Sequence, residues 1–149
     1  MHKSAHTRLR VVSASQFDRA TQQTPGSERL AAIFNSDEFK PSMWGGLFTI
    51  EPGFSTAVHH HGEQDTIAYV LEGQCLLRWG ERGECSATAR AGDFLFIPAW
   101  LPHMEINRSA TQLCRWVVVR STPTPIVVNL PADYWDRGPP NHSPAHSSA

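Results

Sequence analysis

The sequence predicts an all-β fold, a sandwich or a barrel, in a single domain. Short apolar runs alternate with turn residues from residue 29 onward, and many short strands at this spacing are typical of sandwiches and barrels. Helical periodicity is absent over the same stretch, and 149 residues match the size of one domain. The predicted strands span 30–34, 43–50, 56–61, 66–71, 74–79, 85–89, 94–97, 103–107, 113–120 and 126–130.

The two ends of the chain have a different composition from its middle. Residues 1–28 are polar and interrupted by Pro25 and Gly26, which predicts an N-terminal arm with one strand at Arg10–Ser13. Residues 136–149 are polar and rich in Pro and Ser, so they have little to bury and we expect a disordered tail. The predicted barrel therefore covers residues 29–135.

Charge and hydropathy exclude several functional classes. The 13 Lys and Arg residues do not exceed the 14 Asp and Glu residues, so the chain lacks the basic surplus that nucleic-acid binding requires. No apolar run has the roughly 18 residues that a membrane span needs, and the first ten residues lack the apolar centre of a signal peptide. The chain has three cysteines, Cys75, Cys85 and Cys114, and an odd number favours reduced thiols over a set of disulfides. We expect a cytoplasmic protein that binds neither membranes nor nucleic acids.

A histidine pattern carries the chemistry. His59 and His61 share one face of a predicted strand because side chains alternate along it, and His60 takes the other face. His103 lies at the start of a later strand, and Glu105 follows it on the same face. Three inward imidazoles and a carboxylate are a donor set for one divalent first-row metal.

The residues around these histidines resemble the two motifs of the cupin superfamily. Gly53 precedes His59 and His61, and Tyr69-Val-Leu-Glu-Gly73 closes the first motif. The second motif resembles Gly92, Pro98, His103 and Asn107, with Trp100 in place of the usual glycine. The resemblance implies a double-stranded β-helix, or jelly-roll, barrel that is commonly dimeric. It also implies one bound Fe, Zn, Mn, Ni or Cu ion on the histidines.

The fourth metal ligand stays open at the level of the sequence. Many cupins carry a glutamate seven residues before the closing glycine, where this chain has Thr66. Gln64 has the same strand parity as Thr66 and is one alternative. In the pirin and quercetinase-like branch the ligand lies two residues after the third histidine, where this chain has Glu105. Glu105 is therefore predicted either as a ligand or, if Gln64 is the ligand, as a catalytic general base.

These features predict a metal-dependent enzyme that acts on a hydrophobic or aromatic small molecule. The resemblance extends to quercetinase-type dioxygenases and to small zinc-bearing polyketide cyclases, so a dioxygenase and a cyclase or isomerase are both expected. A non-catalytic binding or sensor protein is the alternative. The sequence has no cluster of Arg and Lys that would indicate an anion site. An apolar edge strand at 126–130 favours a homodimer. The expected pocket lining is Ile50, Ala57, Ile67, Tyr69, Leu77, Phe96 and Trp116.

Overall fold

The computed structural model describes residues 8–19 and 25–137. Ten strands form within these residues, together with one turn of 3-10 helix at Ala14–Gln16. The strands are β1 Ser27–Ile33, β2 Trp44–Ile50, β3 His59–His60, β4 Thr66–Glu72, β5 Gln74–Trp79, β6 Cys85–Arg90, β7 Phe94–Ile97, β8 His103–Ile106, β9 Cys114–Arg120 and β10 Val128–Asn129.

The strands form two antiparallel sheets of five strands each. One sheet has the order β1-β2-β9-β4-β7 and the other has the order β10-β3-β8-β5-β6. Strands that are consecutive in sequence often lie in different sheets, so the chain crosses between the layers as a jelly roll does. The predicted all-β jelly-roll fold is confirmed.

The core lies between the sheets and follows from strict alternation. Along β9 the buried residues are Cys114, Trp116, Val118 and Arg120, and the intervening ones are half-buried. Phe48 of β2 faces Trp116 in register, with ring centroids 5.7 Å apart. Burial of each such large side chain contributes about 1.5–3 kcal/mol to folding. This period-two pattern also decides which polar side chains enter the interior.

The connection between β4 and β5 turns at a position that only glycine can occupy. Gly73 has φ 74°, and a β-carbon there would collide with the carbonyl oxygen of Leu113. The tight turn lets β4 and β5 enter different sheets with one residue between them. The glycine that closes the first cupin-like motif is thus required by the backbone.

Most predicted strands form, with differences at the two ends and at 56–61, where the strand is reduced to β3. Arg10–Ser13 is not a strand. It precedes the 3-10 turn, where the Ser13 N–H donates to the Gln16 side chain. This local polar contact favours a turn over a strand. β1 begins at Ser27, slightly before the predicted barrel boundary. The predicted strand 126–130 shortens to β10, which pairs only with β3.

Other predictions concern residues outside the described ranges. Most of the predicted disordered tail lies within residues 138–149, and parts of the predicted arm lie within residues 1–7 and 20–24. Within the described ranges, no helix has the length and apolar character that crossing a membrane requires.

Candidate metal centre

The three predicted histidines meet in the interior. His59 of β3 pairs directly with His103 of β8 across the sheet, and His61 follows β3 immediately. The ring centroids of His59 and His103 are 4.4 Å apart, and that of His61 lies 4.9 Å and 5.0 Å from them. All three rings are at most 3% exposed. Two segments that are distant in sequence thus build one cluster.

Glu105 completes the cluster. Its Oε2 lies 3.5 Å from His59 Nε2, and its Oε1 lies 3.3 Å from His103 Nε2. One ligand atom from each of these residues and from His61 lies within 4.8 Å of all the others. Donors that bind one ion at about 2.0–2.2 Å lie at most about 4.4 Å apart, so a contraction of a few tenths of an ångström lets these four surround one ion.

Backbone carbonyls hold all three imidazoles in one orientation. His59 Nδ1 lies 2.7 Å from Ala57 O, His61 Nδ1 lies 2.8 Å from Ile126 O, and His103 Nδ1 lies 2.8 Å from Leu101 O. A carbonyl only accepts, so each Nδ1 carries a proton, and in each neutral imidazole Nε2 keeps its lone pair for a metal ion. The buried His103 Nε2 makes no hydrogen bond of its own. These residues therefore fit a divalent transition metal.

Thr56 orients the carboxylate. Its hydroxyl donates to Glu105 Oε2 at 2.8 Å and accepts from the Glu105 backbone N–H at 3.0 Å. Thr56 and Glu105 are 2% and 3% exposed. Because both hydroxyl functions are used within the interior, Glu105 has little freedom to rotate away from the histidines. Sequence reasoning missed Thr56, because its parity differs from that of His59 and His61 and gave no signal.

Burial and charge set the protonation of the cluster. Burial lowers the pKa of His59, and burial together with the Arg120 charge lowers the pKa of His61 to about 2. Burial also disfavours the charged form of His103, but the adjacent Glu105 outweighs it and raises the pKa of His103. Burial opposes ionisation of Glu105 as well, yet the nearby histidines lower the pKa of its carboxyl. Glu105 is thus anionic beside at least two neutral imidazoles at neutral pH.

Gln64 is buried as its strand parity predicts, but its amide is engaged elsewhere. Gln64 Nε2 donates to Thr122 Oγ1 and Thr124 O, both at 2.7 Å, and Gln64 Oε1 accepts from the Ile126 N–H at 2.8 Å. The side chain therefore ties down the segment after β9. That segment supplies the Ile126 carbonyl that orients His61, so Gln64 acts on the cluster through its neighbour.

Two other residues of the histidine motifs lie outside the cluster. His60 is half-buried on the opposite face, where its Nδ1 accepts from the Gly62 N–H at 3.0 Å and its ring is 5.7 Å from that of Trp100. Trp100, which stands where cupins carry glycine, has φ 65° and is 65% exposed. The backbone here adopts the left-handed conformation that glycine favours.

The predicted pocket lining is partly wrong. Ile50, Leu77 and Trp116 are buried inside the barrel, and Phe96 lines the groove at His103, whereas Ile67 is 49% exposed. Strand alternation explains why Ile67 faces outward, since Thr66 takes the inward position next to it. An apolar groove of about 390 Å³ reaches His103 and is lined by Leu77, Trp79, Ala87, Phe94, Leu95, Phe96, Ile97, Pro98 and Leu101.

A small interior cavity also borders the cluster. Its volume of about 10 Å³ is close to the space that one water molecule occupies. His61, Glu105 and Arg120 line it together with Thr66 and Ile97. Sequence reasoning missed Arg120, although the signal was present: it follows Cys114, Trp116 and Val118 at period two.

A buried three-histidine and carboxylate cluster inside a jelly roll defines a candidate metal-binding β-barrel protein. The family model described as the cupin domain matches residues 46–120. The chain belongs to the cupin family.

Solved structures share the fold. The polyketide cyclase RemF from Streptomyces resistomycificus has a TM-score of 0.65 and 22% identity, with 87% of this chain and 92% of that chain covered. The protein TT1209 from Thermus thermophilus has a TM-score of 0.53 and 29% identity, with 68% and 90% covered. Oxalate oxidase in complex with glycolate has a TM-score of 0.60 and 24% identity, with 75% and 59% covered. No curated protein matches the chain in sequence.

Proposed function

We propose that this protein is a metal-dependent enzyme that acts on a small, largely apolar molecule. It binds one Fe, Zn, Mn, Ni or Cu ion through His59, His61, His103 and Glu105. The observation that carries the proposal is the convergence of four buried ligand atoms within 4.8 Å. The carbonyl contacts at each Nδ1 support it, because they orient the three Nε2 atoms before any ion binds.

Glu105 is the fourth ligand in this proposal. Its carboxylate lies beside two of the histidine Nε2 atoms and is held by Thr56. The Gln64 amide, in contrast, has hydrogen-bond partners on both its nitrogen and its oxygen. An anionic ligand also offsets part of the charge of a divalent ion in a buried site, which an amide does not.

The ion would supply Lewis-acid or redox chemistry, and the chain's own residues provide the surroundings. The apolar groove at His103 receives the body of the substrate, and its walls exclude water from the reacting atoms. The same barrel occurs in a polyketide cyclase and in oxalate oxidase. Because one fold hosts different reactions, a cyclase or isomerase and a dioxygenase both stay within the proposal.

Elemental analysis of protein purified without chelator tests the site. We expect about one equivalent of metal in the wild type and in His60→Ala, whose ring lies outside the cluster. The double variant His59→Ala/His103→Ala loses the metal, because two of four ligands are gone. Full metal content in the double variant overturns the site. Fe or Cu with O₂ consumption then favours a dioxygenase, and Zn favours a cyclase or isomerase.

A homodimer and a cytoplasmic location complete the proposal. β10 lies at the edge of its sheet, and Val128 is 41% exposed there. An exposed edge strand is stabilised by pairing or cover, and a second copy supplies either. Light scattering at several concentrations tests the dimer, and a monomer throughout the range contradicts it.

A further inference from the structure

Arg120 is a buried cation next to the metal centre. It ends β9 on the inward face and is 4% exposed. Its Nη1 donates to Thr66 Oγ1 at 3.2 Å, and the two residues are opposed in register between β9 and β4. Its Nε is buried and makes no hydrogen bond. A guanidinium offers five donors in a planar fork, and at least the Nε–H of this one is unused.

No acidic side chain forms an ion pair with Arg120. Among residues 8–19 and 25–137, none of the ion pairs includes Arg120. Burial, and then the charge of Arg29, lower the pKa of Arg120 to about 10, so it is still protonated at neutral pH. The Glu105 charge acts on Arg120 in the opposite direction but forms no ion pair with it, so the cost of burying this cation is only partly offset. The structure tolerates this cost beside the position of the proposed ion.

The position of Arg120 relates it to the reaction. It lines the cavity of about 10 Å³ together with His61 and Glu105. The walls beside them are the apolar Phe48, Ile97, Trp116 and Val118. With a divalent ion bound, the single negative charge of Glu105 does not balance the ion and Arg120. The loaded site therefore carries net positive charge within an apolar enclosure, which selects for an anion.

We propose that Arg120 binds an ionised oxygen group of the substrate, so that the enzyme acts on an organic acid with an apolar body. The inference rests on the proposed function and adds the substrate class to it. In this proposal the cavity accepts the charged oxygen and the body of the acid lies in the neighbouring apolar groove, which shares Ile97 with the cavity. The sequence showed no cluster of Arg and Lys for an anion, but a single buried guanidinium that forms no ion pair can bind one.

Benzoate and benzamide are suitable probes, because they differ in charge and hardly in shape. Their affinities are measured by calorimetry for metal-loaded and chelator-treated full-length protein. We expect the metal-loaded wild type to bind benzoate more tightly than benzamide. Arg120→Met weakens benzoate binding by about 10- to 100-fold and leaves benzamide binding and metal content unchanged. Arg115→Met is the matched control on the same strand, since Arg115 faces outward and pairs with Glu72.

A second variant covers the case in which Arg120→Met does not fold. Arg120→Lys keeps the charge, so it retains a preference for benzoate over benzamide. Equal affinity of the wild type for the two probes overturns the inference, as does unchanged benzoate binding in Arg120→Met. A wild type that takes up no metal contradicts the proposed function instead. The metal content measured in the same samples separates the two failures.

Discussion

The substitution Gln64→Glu tests whether Gln64 stabilises the loop after β9 or binds the metal ion. The substitution keeps the shape of the side chain and replaces the amide nitrogen with a carboxylate oxygen. That atom then faces Thr124 O at 2.7 Å and Thr122 O at 3.2 Å, and two acceptors cannot share a hydrogen bond. The Ile126 N–H still has an acceptor.

The expected loss of stability follows from these contacts. One to two hydrogen bonds disappear, buried carbonyls lose their donor, and a carboxylate enters the interior, which together cost about 3 kcal/mol. Domains of this size have about 5–15 kcal/mol of unfolding free energy, so the variant still folds. The loosened 122–126 segment releases Ile126 O from His61 Nδ1, and metal affinity falls about 10- to 100-fold.

Urea unfolding of chelator-treated protein measures the first effect, and competition with a chromophoric chelator measures the second. Gln74→Glu on the exposed side of β5 is the control and changes neither. If Gln64 were a ligand, a carboxylate in its place would bind the ion at least as tightly. Metal affinity equal to or above that of the wild type would therefore refute our interpretation of Gln64.

Three further predictions concern single residues. Thr56→Val removes the hydroxyl that holds Glu105. We expect the free energy of unfolding in urea to fall by about 2 kcal/mol and the metal affinity, measured by chelator competition, to fall about 10- to 100-fold. An unchanged metal affinity contradicts the orienting role of Thr56. Trp100→Gly removes the strain of a left-handed φ of 65°, which costs about 1–2 kcal/mol. The larger chain entropy of unfolded glycine offsets part of this gain, so thermal melts should show an unfolding free energy higher by up to about 1 kcal/mol. Trp100→Ala keeps the strained backbone, so its stability should not rise. An equal rise in stability in both variants contradicts the explanation by backbone strain. His61 has a folded-state pKa of about 2 against 6.5 when unfolded, so the unfolded chain binds more protons between these values. His61 alone should then lower the stability of the chelator-treated protein by about 1.4 kcal/mol for each pH unit well below 6.5, and the lowered pKa of His59 adds to this loss. Melts that are flat from pH 6.5 to about 4.5 would argue against a buried neutral imidazole.

The sequence predicted which strand residues face the interior, and this alternation identified most of the residues of the site. His59 and His61 alternate with His60, and the structure places the first two inside and His60 on the other face. Glu105 follows His103 at the same period and is buried with it. Parity also placed Gln64 in the interior, but it did not say which neighbour its amide would meet. That contact depends on the loop after β9, which is far away in sequence.

Arg120 shows the same division between sequence and structure. Its inward position follows from the alternation of β9, and a charge at an inward position is a signal in itself. Whether such a charge is neutralised depends on side chains from other strands. Thr66 on β4 offers a hydroxyl, and Glu105 on β8 lies at the same cavity without forming an ion pair with Arg120.

The sequence by itself determined the all-β fold class, the strand faces and the residue types that face the interior, because side-chain direction along a strand is a local property of the backbone. The tertiary structure alone decided which of these residues meet. β3 pairs with β8 and brings His59 opposite His103, while the crossing of the chain between the two sheets places Arg120 beside His61 and Glu105. Cross-strand neighbours are set by the pairing of distant segments, and their contact energy exists only once the barrel has closed.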